Sequence, residues 1–295
     1  MNPANPILKN IEAIFPYYGC CIMLTTKHAK SIALIPPFER ILGAGVLEYV
    51  MDTDKLGTFS GEVERKGTAL ECARKKCELS LEATEADYAF ASEGSFGPHP
   101  FIPFWPSNKE TLYFIDTTRD FHLHVSDVTT DTNYQMKEIS ELEELQDFAQ
   151  RSLFPSHALI IRPYPREMDG PVFKGIDNQA DLEAAFTECR NISPKGKIWF
   201  ETDMRAHLNP TRMKFIGKLG ENLAHRLLTL CPDCGTPGWG EVDIEVGLPC
   251  NLCELPTDEI KAEIFGCTKC HYKISMPPKH NKKTADPYLC GICNP

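Results

Sequence analysis

Eight cysteines fall as four C-x-x-C pairs within residues 231–293: Cys231 with Cys234, Cys250 with Cys253, Cys267 with Cys270, and Cys290 with Cys293. Two thiolates separated by two residues suit a tight turn whose backbone N–H groups point at sulfur and offset its charge. Two such turns complete a tetrahedron around one metal ion, so eight ligands predict two zinc ions in closed, structural sites of four cysteines each. Disulfides are the alternative. The opening segment MNPANPILKN lacks a basic start followed by an apolar run, so no signal peptide is expected. A reducing, cytoplasmic compartment then favours metal ligation. The other five cysteines (Cys20, Cys21, Cys72, Cys77, Cys189) are scattered and read as small buried hydrophobes.

Sharing of the metals can run in sequence, first pair with second and third with fourth, or crossed. The gaps of 15 and 19 residues each suit a hairpin, so two sequential zinc ribbons with rubredoxin-like knuckles are the expected arrangement. With eight cysteines at hand, neither His271 nor His280 is needed as a ligand. A segment of 65 residues builds little core of its own, and zinc binding of order 10 kcal/mol per ion would supply its folding free energy.

Net charge is −10, which argues against broad attraction to nucleic acid or acidic membrane. Residues 231–295 carry 6 Lys/Arg against 9 Asp/Glu. A local exception is CTKCHYKISMPPKHNKK, in a stretch with five lysines and no acid between Glu263 and Asp286, read either as a basic finger for nucleic acid or as a solvated loop. No stretch approaches the roughly 18 apolar residues of a membrane span.

Before the cysteine pairs, strands and helices alternate. Strands are expected at 19–26 (GCCIMLTT), 46–51, 88–91, 157–162 and 197–202, with a hairpin over 111–116 and 121–127. Helices are expected at 67–81, 138–153, 179–189 and from Pro210 with Asn209 as cap, while Pro36 and Pro37 should break any helix over 30–42. Residues 92–97 read as a glycine-bearing loop, and 98–106 (PHPFIPFWP) as neither helix nor central strand. The pattern predicts an α/β domain over 1–230 followed by the zinc domain over 231–295.

Polar residues cluster where strands should end: Thr25, Thr26, Lys27 and Lys30; Glu71; Ser92, Glu93 and Gly94; and the segment containing Arg205, His207 and Arg212. Thr25, Thr26 and Lys30 match a T-T-N-x-x-K loop, with Lys27 in place of asparagine. Gly67, Thr68, Glu71, Ala73 and Lys76 echo a G-T…E-N-A-x-x-K helix, with Cys72 in place of asparagine. In this order, with Glu93-Gly94 after ADYAFAS, residues 20–127 resemble the inosine/xanthosine triphosphatase superfamily, which includes Maf-like proteins. Thr211 and Arg212 are similar to a late basic motif of that family. The whole chain, with its ETDMRAHLNPTRM segment and cysteine tail, also resembles an uncharacterised bacterial family.

The resemblance implies a mixed sheet with flanking helices and hydrolysis of a nucleoside triphosphate to monophosphate and pyrophosphate. Glu71 and Glu93 would be catalytic and hold Mg²⁺, and Thr25, Lys27, Lys30, Arg205, His207 and Arg212 would bind the substrate. For Glu71 the other reading is a capping box on Thr68. Arg205 and Arg212 near a helix start oppose its dipole, so their placement wants another explanation. The rival reading is a non-catalytic protein with a degenerate nucleotide pocket, whose ribbons bind a protein partner or nucleic acid.

Overall fold

A computed structural model describes residues 15–51 and 67–295; the opening MNPANPILKN lies outside them. β1 (Cys21–Thr26) leads through α1 (Ser31–Leu42) to β2 (Gly45–Val50), and α2 (Ala69–Thr84) precedes β3 (Tyr88–Pro98). β4 (Pro106–Asp116) and β5 (Phe121–Thr129) follow as antiparallel hairpins. The sheet order is β2-β1-β3-β4-β5, with β1 parallel to both neighbours.

Strand side chains alternate between faces with a period of two. Ile22, Leu24, Phe90, Leu112 and Phe114 face α1 and α5 (Pro210–Leu228), and Phe38, Ile216, Leu219 and Leu223 complete that core. Met23, Ala89, Ala91 and Tyr113 face α2, which meets them with Ala73 and Cys77. The mixed α/β expectation therefore holds. A second sheet has the order β6-β9-β7-β8 and is antiparallel throughout. Its strands are β6 (Met136–Ile139), β7 (Leu159–Pro163), β8 (Phe173–Ile176) and β9 (Ile198–Thr202). With α3 (Leu142–Arg151) and α4 (Gln179–Ile192) it encloses its own core around Phe148, Phe186 and Phe200.

Two local expectations fail for tertiary reasons. The helix α1 runs unbroken through Pro36 and Pro37, because Leu34 and Pro37 pack on α5 where Gly220 leaves room. Residues 92–97 are strand rather than loop: β3 continues to Pro98, paired with β4 as Glu93 to Thr111 and Gly94 to Glu110. The proline-rich 98–106 segment forms the turn of that hairpin, closed by Pro98 opposite Pro106.

The metal module is a third sheet of β10 (Gly240–Val246), β11 (Ile260–Gly266) and β12 (Lys273–Met276), antiparallel in that order. Its near end packs on the first sheet: Gly238 lies against Leu123, and Arg226 of α5 donates to the carbonyls of Gly238 (3.1 Å) and His124 (3.2 Å). Among the described residues no helix is long and apolar enough to cross a membrane.

A Cβ on Gly220 would lie 2.8 Å from Leu34 Cδ2 in a sealed helix–helix contact. Gly220→Val is expected to destabilise the chain by about 1–3 kcal/mol through overpacking, read as a lower midpoint in chemical unfolding.

Candidate functional site

The eight paired cysteines converge as two tetrads: Cys231, Cys234, Cys267 and Cys270 form site one, and Cys250, Cys253, Cys290 and Cys293 form site two. Sulfur–sulfur separations are 3.8 and 3.7 Å in site one, 3.9 and 3.6 Å in site two. Four ligands at about 2.3 Å around a tetrahedral ion would be about 3.8 Å apart, so each group fits a metal ion closed on all sides.

The turns share most of one pattern, the Cys290 turn differing in that its first N–H donates back to Pro287 O. The first cysteine's N–H donates to the carbonyl five residues on, at Thr236, Leu255 or Tyr272. Its carbonyl accepts from the residue four on, at Gly235, Glu254 or Asn294. Left-handed backbone at Gly235, Glu254 and His271 makes the reversal. Backbone N–H groups of Leu252 and Lys269 point at Cys250 and Cys267 sulfur, both at 3.4 Å. Thr236 beside Cys234 lowers its thiol to about 6, and the N–H groups of Cys293 and Ile292 lower Cys290 to about 7. Both shifts favour the ligating thiolate, whereas burial and the neighbouring sulfurs raise Cys253, Cys267, Cys270 and Cys293, a penalty that a bound cation would relieve.

Sharing is crossed, which corrects the sequential expectation. The first gap holds one strand, β10, and its partner β11 lies between the second and third cysteine pairs. A seven-residue strand carries the chain about 20 Å, so the second pair lies at the far end of the sheet and β11 returns the third to meet the first. The hairpin forms between the gaps, not within one. The basic segment is folded back on these acidic strands: Lys279 Nζ lies 2.7 Å from Glu241 and 3.5 Å from Glu263.

A second constellation gathers at the carboxyl end of β1. β1 pairs with β3 only as far as Thr25 opposite Ala91, and among the described residues no other strand pairs with this edge of β3 from Ser92 onward. The chain leaves β1 through α1 to one side and returns through α2 to the other, a topological switch point where open α/β sheets form a crevice. Alternation splits the cluster between faces. On the α2 face, Glu93 pairs with Lys76, whose carbonyl accepts from Thr25 Oγ1 at 3.0 Å. On the α1 face, Lys30 Nζ donates to Ser92 Oγ at 2.9 Å and Ser92 O at 3.3 Å.

Behind Lys30, Arg212 Nε lies 2.7 Å from Glu110 Oε1, and the two residues are only 1% and 0% exposed. The guanidinium also donates to Met204 O and lies over the Phe96 ring, 5.2 Å from its centroid. Glu110 thus explains an arginine in the first turn of α5 despite the helix dipole. Gly94 makes the pair possible, because a Cβ there would lie 2.5 Å from both Arg212 Nη2 and Glu110 Oε1. Burial and then the Arg212 charge lower the Lys30 ammonium to about 7.

The structure thus brings together Thr25, Lys30, Glu93 and Arg212. Lys27 is exposed on the adjoining loop, whose His28 stacks on His207 with centroids 5.3 Å apart. Two expected members stand elsewhere. Glu71 is exposed and closes the capping box, accepting from Thr68 N at 2.7 Å. Arg205 is held bidentately by the buried Asp203, with Nη2 at 2.6 Å from Oδ2. Mg²⁺ shared by Glu71 and Glu93 does not fit this arrangement, since one carboxylate caps a helix and the other is neutralised by Lys76. The sequence motif included Lys76 without giving it a place in the site, and Glu110 was missed. Their signals were a lysine on the apolar stripe of α2 and a glutamate in register with Leu112 and Phe114.

Crossed sharing makes an expected outcome for metal content. Cys234→Ser and Cys267→Ser each lose one equivalent, and the double variant also loses one. Cys234→Ser with Cys253→Ser loses both, by elemental analysis. In the other constellation, Glu110→Gln leaves a sealed guanidinium unpaired and is expected to cost about 3–5 kcal/mol in denaturant unfolding.

Neither the curated proteins nor the solved structures compared with the chain give a match. The family model described as Domain of unknown function (DUF6671) matches residues 76–295, about three quarters of the chain, running from Lys76 of the charge cluster through both tetrads. The chain belongs to the DUF6671 family.

Proposed function

We propose that the crevice at the end of β1 binds the phosphate groups of a nucleotide, and that the C-terminal module is a structural element built on two zinc ions. The observation that carries the first part is the meeting of Lys30, Lys76, Glu93, Glu110 and Arg212 from five separate elements at the switch point. Lys30 is the cation there with no carboxylate in ion-pair range among the described residues: Lys76 has Glu93, and Arg212 has Glu110. Among the described residues, three buried cations against two carboxylates leave one positive charge in excess when Lys30 is protonated. A phosphate would complete the balance, with Lys30, Lys76 and Thr25 nearest it and Lys27 at the rim. Arg212 acts from behind, holding Glu110 and the start of α5 in place.

For the module, four thiolates at tetrahedral spacing suit zinc, and a closed shell leaves no position for a reacting water. Its contribution is folding free energy.

Hydrolysis of a nucleoside triphosphate to monophosphate and pyrophosphate is the reaction this reading assigns, with Glu93 as the group to activate water once phosphate draws Lys76 away. The non-catalytic reading is favoured by one fact: Glu71, Glu93 and Glu110 all have partners already. Pyrophosphate release across common and deaminated nucleoside triphosphates with added Mg²⁺ separates the two. Release in the wild type and its loss in Glu93→Gln support hydrolysis, and no release above that variant eliminates it.

Binding itself has a signature. The Lys30 ammonium is lowered to about 7 in the folded chain, and a bound anion favours its charged form. Above pH 7 binding should therefore take up a proton, and affinity should fall as pH rises toward 9, a dependence removed in Lys30→Met. Calorimetry in buffers of different ionisation enthalpy measures this uptake.

A further inference from the structure

The two metal sites share most of one turn design but present different chemistry at their outer residues. In site one the residue before each second cysteine is polar, Asp233 or Lys269. That site touches the first sheet on one side, where Lys269 Nζ donates to Arg119 O at 2.6 Å and Gly238 packs on Leu123, and the exposed Asp233 and Lys269 of its turns are polar. In site two the same positions hold Leu252 and Ile292, which are 71% and 68% exposed. Tyr288 is 80% exposed beside them, with Leu255 and Leu289 also exposed. Asn294 binds the Tyr288 carbonyl and holds that segment against the metal turn. Site one shows that the turn forms with polar residues at these places, so the fold does not require the apolar ones.

We infer that this face of site two pairs with the same face of a second copy of the chain. The five side chains expose roughly 500–600 Å² of mostly apolar surface. One side of a standard interface buries about 800 Å², somewhat over half of it apolar, so the patch matches the apolar share of one half-interface. A two-fold contact needs a self-complementary patch, and both charge signs are present at its edge. Glu254 and Asp286 are exposed next to the ligand turns, and so are Lys282 and Lys283. Ala285 ties the lysine segment to the second pair, donating to Pro249 O at 2.8 Å and accepting from Asn251 N at 3.0 Å. A two-fold axis through the apolar centre lets lysines of one copy meet carboxylates of the other.

Sedimentation velocity and light scattering on the full chain, loaded with zinc and studied up to about 100 µM, test this. The wild type is expected at twice the chain mass. Leu252→Glu combined with Ile292→Glu is expected at the chain mass with both zinc equivalents retained, its self-affinity lowered at least about a hundredfold. Phe104→Ser, at an equally exposed apolar residue on the turn between β3 and β4, should still pair. A wild type that remains monomeric overturns the inference and leaves the face to a different protein. So does a double variant that keeps its metal and still pairs, or loss of pairing in Phe104→Ser. If the double variant loses zinc, Tyr288→Glu, which lies outside the ligand turns, is read by the same outcomes.

Discussion

A guanidinium and a carboxylate removed from water fix the relation between the sheet and α5. Neither Arg212 nor Glu110 has appreciable exposed surface, so they replace hydration with each other, and the guanidinium also uses the Met204 carbonyl and the Phe96 ring. Such a pair adds little net stability over apolar packing, but it penalises any arrangement that separates the partners. The start of α5 is thereby held to one register on β4. Nineteen residues of helix then deliver the chain to Cys231, and Arg226 near the helix end binds the loop carrying Gly238. One helix positions the back wall of the crevice at one end and the root of the metal module at the other.

The crevice and the module solve opposite electrostatic problems. In the crevice, cations are gathered in a poorly solvated place, and Lys30 answers by releasing its proton more readily. In the module, eight sulfurs are gathered tightly enough that only a pair of cations can neutralise them as thiolates. The first arrangement suits a ligand that comes and goes, because the excess charge is small and partly relieved by titration. The second suits a resident ion.

Features decided within a few residues were legible in the sequence. The cysteine turns, the Thr68 capping box, the Asn209 cap and the β4–β5 hairpin each depend on neighbours along the chain. Features decided by remote packing were not. The helix carries Pro36 and Pro37 because Leu34 and Pro37 pack where α5 presents Gly220, and Ser92–Gly94 form strand because β4 continues beside them. β6 and β8, four residues each, lack enough alternation to stand out. The site was legible in the same proportion. Lys30, Glu93 and Arg212 were visible as polar residues at element ends, whereas Glu110 becomes meaningful only when an arginine 102 residues later arrives opposite it. Metal sharing failed for a related reason, since gaps of 15 and 19 residues each suit a hairpin until β10 is seen to pair with β11 across the second cysteine pair.

Crossed sharing also imposes an order on how the tail matures. As the polypeptide emerges, the first two turns expose four thiols that belong to different ions, and neither can be satisfied. Site one closes only after Cys270, once β11 has paired with β10, and that pairing leaves Cys250 and Cys253 waiting at the opposite end. Site two closes last, when Cys293 arrives. Capture of the first ion therefore builds the strut along which the second half-site is held ready, and the apolar rim around Leu252 and Ile292 comes into being as the final step of assembly.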